Sequence, residues 1–109
     1  MLNTVVLIGR LGRDPELKYT QQGTAVCHFT LAVSRKFKKD ETDWIDIVAW
    51  QGLAENASQY LKKGSMCAVE GRIQVRNYEA QDGGKRKAVE VVADDIRFLD
   101  SKRDDQAQA

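Results

Sequence analysis

The residues of this chain best suited to chemistry are two tryptophans and a basic run that contains a phenylalanine. The chemistry they suit is stacking and charge attraction, with no bond made or broken. With a period of two, the segment Thr42–Trp50 (TDWIDIVAW) places Ile45, Ile47 and Ala49 on one side and Trp44, Asp46, Val48 and Trp50 on the other. The first side is an ordinary core face. The second also carries a carboxylate, so it is expected to meet water or a ligand. Just upstream, Phe37 stands among Arg35, Lys36, Lys38 and Lys39. Flat rings interleaved with cations suit a polymer of flat bases on a charged backbone, which is single-stranded nucleic acid. A single aromatic residue in a strand more commonly packs in a core. Two on the side shared with Asp46, with Phe37 nearby in a basic run, favour an exposed binding role.

Composition sets the frame for those residues. A length of 109 residues fits one domain, and 42% hydrophobic and 30% charged residues describe an ordinary globular chain. The net charge is only +1, without the overall basicity of many duplex DNA binders. The charges are segregated instead: cations gather at 35–39, at Lys62 and Lys63 and at 85–87, and aspartates crowd the C-terminal end. Cys27 and Cys67 lie far apart with no CxxC pair, and His28 is the sole histidine. A zinc site lacks ligands and a Cys–His nucleophile lacks support, so two buried thiols are expected, with a disulfide between them left open by the sequence. No stretch approaches the roughly 18 apolar residues of a membrane span, and the N-terminus enters a strand pattern directly, with no leader expected.

The elements that must position these groups follow from alternation and punctuation. Thr4–Leu11 reads as a strand with both faces apolar: Val5 and Leu7 on one, Val6 and Ile8 on the other. That suits a central strand, or one whose outer face another subunit covers. Leu17–Thr20 adds a short extended piece. Val26–Arg35 reads as a long strand with Cys27, Phe29, Leu31 and Val33 inward; His28, Thr30, Ala32 and Ser34 form a small polar face opposite. It projects the charged loop Lys36–Thr42. After the Trp44–Trp50 strand, Leu53, Ala57, Tyr60 and Leu61 recur at helical spacing, with Gly64 expected as the terminating glycine and Lys62 and Lys63 at the negative helix end. Met66–Arg76 is a strand with Val69, Gly71, Ile73 and Val75 inward and Arg72, Gln74 and Arg76 outward. Tyr78 then opens a loop (NYEAQDGGKRK) with a Gly83-Gly84 tip and a basic exit, read as a second arm. Ala88–Leu99 completes the strands. Five strands with one short helix between the third and fourth, and long β-hairpin arms, is the pattern of the OB-fold, an all-β Greek-key barrel. Residues 1–100 form this domain, and 101–109, without an apolar anchor, are expected to be a disordered tail.

Four stretches carry a more specific resemblance: NTVVLIGRLGRDPELKYT (3–20), FTLAVSR (29–35), TDWIDIVAWQGLAENASQYLKKGS (42–65) and VEGRIQVRNYE (69–79). They resemble bacterial-type single-stranded DNA-binding proteins across nearly the whole domain. GRLGRDPE, LAE followed by YLKKGS, and EGR are far more distinctive than a strand pattern. The resemblance implies base stacking on Phe37, Trp44, Trp50 and Tyr78; Phe37 and Tyr78 stand where some relatives carry tryptophan. Charge attraction adds expected phosphate contacts from Arg35, Lys36, Arg72 and Arg76, with Lys62, Lys85 and Arg86. The resemblance further implies a homo-oligomer, usually a tetramer, into which Val6 and Ile8 would pack, and work in replication, recombination and repair in the bacterial cytoplasm at the nucleoid. No metal, cofactor or catalytic group is needed. Family members commonly carry a linker ending in an acidic tip that recruits replication and repair proteins. This sequence ends at Gln108-Ala109 without one, so such recruitment is not assigned to it.

Three other readings use the same residues. An enzyme would need a catalytic set; Asp43 and Asp46 read as solvated charges, and His28 has no evident partner. An OB-fold protein–protein module of a replication or primosome assembly would use Trp44 and Trp50 as anchors, but anchors need no flanking lysines. RNA would stack equally well, and only the resemblance favours DNA.

Overall fold

Barrel closure depends on β1 (Val5–Leu11), which pairs antiparallel with two strands distant in sequence. In the computed structural model, which describes residues 1–38 and 40–100, β1 is followed by β2 (Glu16–Tyr19), β3 (Ala25–Ser34), β4 (Thr42–Trp50), α1 (Gln51–Tyr60), β5 (Met66–Glu79) and β6 (Lys85–Phe98). Lys39 of the basic run and the tail at 101–109 lie outside the described residues. The sheet order is β1-β5-β6-β4-β3-β2, and a further pairing of Arg10 and Leu11 with Ala32 and Leu31 joins β1 to β3. The strands β1, β3, β4, β6 and β5 thus close into a ring, with β2 as a short ribbon on β3. All pairs are antiparallel except β4 with β6, which run parallel through Ile47–Val91 and Val48–Val92. This is the expected five-stranded OB barrel, and its helix lies between the third and fourth barrel strands.

Two glycines make the closure possible. A Cβ on Gly9 would sit 2.3 Å from the carbonyl oxygen of Ala32, where β1 crosses β3. At Gly71 it would sit 2.1 Å from that of Val92, beside the β-bulge between Glu70 and Gly71 on β5. Only a residue without a side chain lets the backbones approach so closely at such a corner. The interior is filled from both halves of the chain, with Leu11, Cys27, Phe29, Leu31, Ile47, Ala49, Cys67, Val69, Val91 and Ile96 all buried. Ala54, Ala57 and Leu61 of the helical segment join the same cluster, so α1 plugs one end. Asn3 extends β1 with its side chain, donating to Ile73 O and accepting from Ile73 N–H at 2.8 and 2.9 Å.

The structure corrects two local expectations. Gly64 does not terminate the helix: α1 ends at Tyr60 with Leu61 already extended, and Gly64, at φ 88°, donates its N–H to Leu11 O in the turn that leads into β5. Lys62 and Lys63 therefore lie beyond the last helical turn; Lys63 N–H donates to Asp14 Oδ1 at 2.8 Å. The segment from Asn77 is not a loop either. The register of β5 against β6 continues through Tyr78–Arg86 to Glu79–Lys85, leaving only a short turn at the tip. The arm therefore runs past the barrel, and Ile73 and Val75, expected inward, are exposed on it.

Both cysteines are free and buried. Burial, and secondarily the charge of Asp100, pushes the Cys67 thiol up to about 11. Cys27 is raised by burial and then by Glu16.

Two predictions follow from closure and core. Gly71→Ala forces β5 and β6 apart and should destabilise the domain by about 1–3 kcal/mol in urea unfolding. Because the folded state holds the Cys67 proton more tightly than the unfolded chain, that stability is full below the ordinary thiol pKa and lost as pH rises through about 11. Denaturation midpoints measured from pH 8 upward should fall more steeply for the wild type than for Cys67→Ala.

Candidate nucleic-acid interface

Alternation along each strand and the register between strands put several of the candidate side chains on one continuous outer surface. Val48 of β4 is aligned with Val92 of β6, and Val92 with Arg72 of β5; on the other side Val48 is aligned with His28 of β3. Counting by twos from this row, Trp44, Asp46 and Trp50 share that surface with Arg72, Gln74, Arg76 and Tyr78, and with Glu90 and Arg86. Trp44 and Trp50 are separated by about 20 Å of extended strand, enough for several nucleotides between them. Trp44 is 64% exposed, Trp50 44%, Tyr78 45% and Phe37 88%.

Val48 and its neighbours depart from the simple alternation. Placed by sequence on the ligand-facing side, Val48 is nonetheless buried, as are Val26 and Val92 on the same side. Parallel pairing sets Val92 directly beside Val48, and the adjacent valines shield one another between the two tryptophans. That shielding cannot be read from β4 alone.

Each aromatic is held differently. The Trp44 ring lies against Gly12: a Cβ there would meet ring carbon Cζ3 at 2.7 Å. The glycine of GRLG thus seats a stacking candidate, a role that its neighbours in sequence do not reveal. Trp50 caps α1 without a side-chain hydrogen bond, and Gln51 after it takes a left-handed φ of 58°, the only non-glycine residue among those described to do so. Such a conformation costs a non-glycine residue of order 1–3 kcal/mol and turns the chain sharply from strand to helix at Trp50. Phe37 rides on the loop between β3 and β4, with the Lys36 ammonium 5.5 Å from its ring centre. Tyr78 sits on β5, with the Arg76 guanidinium 5.6 Å from its ring.

The loop carrying Phe37 is closed at its base by Arg35. Its Nε donates to both Asp43 carboxylate oxygens (3.2 and 3.3 Å), Nη2 to Asp43 Oδ1 (3.0 Å) and Nη1 to Glu41 Oε1 (2.9 Å). The hydrogen bonds that Arg35 donates to Asp43, and then the Asp43 charge, raise the pKa of Arg35 above its ordinary value. Arg35 N–H also donates to Glu41 O. Sequence reading cast Arg35 as a phosphate contact; here its fork is occupied within the hairpin. Lys36 stands on that loop. Lys62 is in the turn after α1, apart from the tryptophan strand. Lys85 and Arg86 begin β6, and with Asn77, Tyr78, Glu79 and Lys87 they line a shallow hollow near the arm tip.

Between the arm and the segment Arg13–Glu16 lies a groove of about 530 Å³, lined also by His28, Thr30, Asp46, Arg76 and Glu90. Thr30 Oγ1 donates to Asp46 Oδ1 at 3.5 Å across its floor. Arg13 on its rim escaped the sequence reading, because nothing in one strand's alternation brings that turn against β3 and β4. Among the described residues no cluster of His, Cys, Asp and Glu could hold a metal ion, and no helix is long and apolar enough to cross a membrane.

On β1, Val6 and Ile8 are 66% and 56% exposed, so nothing among the described residues covers the second apolar face that the sequence showed.

Comparison with known proteins identifies the family. Residues 2–99 match the model of the single-strand binding protein family. The chain is 51% identical over 107 residues to single-stranded DNA-binding protein 3 of Listeria innocua, covering 94% of this chain and 67% of that protein. It is 53% identical over 106 residues to the single-stranded DNA-binding protein of Oceanobacillus iheyensis, covering 94% and 66%. To single-stranded DNA-binding protein 2 of Clostridium acetobutylicum it is 50% identical, covering 94% and 80%. The chain thus spans about two thirds of the length of the first two. On the match over nearly its whole barrel, the chain belongs to the single-strand binding protein family.

Proposed function

We propose that this chain binds and protects single-stranded DNA without regard to sequence, as a non-catalytic component of replication, recombination and repair. The observation that carries this reading is the exposure of Trp44, Trp50 and Tyr78 on one outer surface, with Phe37 at the tip of an adjoining loop. Every base presents a flat π face, so stacking on these rings is indifferent to sequence; in single-strand-binding barrels as a class it is worth about 1–3 kcal/mol per base. Lys36, Lys62, Lys85 and the arginines Arg35, Arg72, Arg76 and Arg86 are the cations available to the phosphates, the arginines by exchanging their carboxylate partners. A paired duplex hides its base faces inside the stack, so it offers only phosphates to this surface.

The uncovered Val6 and Ile8 support a homo-oligomer, a tetramer by the family pattern, in which β1 meets its counterpart. Several such surfaces on one assembly would bind a strand at high effective concentration. No helix fit to cross a membrane occurs among the described residues, and the reading places the protein in the cytoplasm with the chromosome.

Titration with oligo(dT) should quench the tryptophan fluorescence, with little response to duplex and weaker binding at high salt. Trp44→Ala and Trp50→Ala should each weaken binding roughly 5- to 150-fold. An equal response to duplex would refute the reading. By light scattering, the wild type should have the mass of a tetramer, whereas Val6→Glu with Ile8→Glu should give smaller species with unchanged circular dichroism.

A further inference from the structure

The cations of the proposed phosphate track divide by residue type. Each of its arginines lies in an ion pair with a carboxylate, whereas among the described residues Lys36, Lys62 and Lys85 have no such partner. Arg35 is committed on both edges of its fork and closes a hairpin. The three arginines of the β5–β6 arm are held more lightly. Arg72 Nη1 lies 3.3 Å from Asp94 Oδ1, Arg76 Nε lies 3.7 Å from Glu90 Oε1, and Arg86 Nη2 lies 3.1 Å from Asp82 Oδ2. All three arginine side chains are about half exposed, so a phosphate can reach each guanidinium from solvent.

We propose that Asp82, Glu90 and Asp94 hold the arm's arginines in neutral pairs that the phosphates of the strand must take over. These carboxylates then set both the affinity and the ionic-strength dependence of single-strand binding. The inference rests on the function proposed above. It follows from charge balance. A phosphate that meets a free cation releases the counterion condensed on the DNA, and affinity falls with salt by roughly 0.7 in slope per phosphate neutralised. A phosphate that displaces a carboxylate leaves that carboxylate beside the strand, where it takes up a cation from solution. Net cation release is then smaller than the number of phosphates touched. The unpaired lysines provide the first attraction; the arginines, whose planar forks fit a phosphate with two parallel hydrogen bonds, exchange partners on docking.

The test uses Asp82→Asn, Glu90→Gln and Asp94→Asn, singly and combined, in oligo(dT) titrations over a sodium chloride series. Glu55→Gln on α1 is the control, since it removes one negative charge away from the arm. Each arm variant should bind about two- to fivefold more tightly at low salt. The combined variant should show a steeper dependence of log K on log salt, by up to about 0.7 per pair, and the control should keep the wild-type slope. Glu90 is the least exposed of the three, so if Glu90→Gln lowers the melting temperature, the Asp82→Asn and Asp94→Asn variants carry the test. Unchanged slopes, or weaker binding in variants that melt like the wild type, would overturn the proposal while leaving single-strand binding intact. Failure of the wild type to bind oligo(dT) would overturn both.

Discussion

The rest of the structure depends on the double pairing of β1. By bonding to β5 along most of its length and to β3 at its end, it converts an open sheet into a ring, and the contacts at Gly9 and Gly71 are where backbones must nearly touch for that ring to close. Closure removes the free edges that an open sheet would expose. It also sorts side chains into a sealed interior and an outer wall. The same strand leaves Val6 and Ile8 outside, so the element that closes the barrel also leaves its apolar back exposed.

The outer wall gains its character from what extends past the ring. β5 and β6 are longer than the barrel requires, and their paired ends carry Tyr78 and its cations beyond the body. The β3–β4 connection does the same for Phe37, kept in shape at its base by the Arg35 fork on Asp43 and Glu41. Trp44 and Trp50 stay on the wall itself, one resting on Gly12 and the other fixed by the sharp turn into α1. Aromatics on the barrel wall are thus flanked by aromatics on projecting elements, an arrangement that would suit the flexible strand of the proposed function better than a single pocket.

Electrostatics on this surface is more balanced than a count of lysines and arginines suggests. The groove beneath the arm mixes Arg13, Arg76 and His28 with Asp14, Glu16, Asp46 and Glu90. The arginines of the track are paired and, among the described residues, Lys36, Lys62 and Lys85 are not. Attraction of a polyanion then depends on local arrangement and on exchange of partners, with little help from a long-range field.

The sequence by itself determined the barrel class, the inward residues Cys27, Phe29, Leu31 and Val69, the helical plug, and the outward placement of Trp44 and Trp50. Each of these depends on local periodicity, which the chain carries in its own order of residues. Tertiary structure alone decided what depends on neighbours across strands. Val48 is buried because Val92 arrives beside it. Ile73 and Val75 are exposed because the hairpin register runs on to Glu79–Lys85, beyond any core. Gly64 serves a turn tied to Leu11, not a helix end, and Gly12 makes room for an indole from another strand. The pairing of Arg76 with Glu90 and of Arg72 with Asp94 belongs to the same class. Period-two alternation tells which side a residue faces; only the folded ring fixes what stands opposite it.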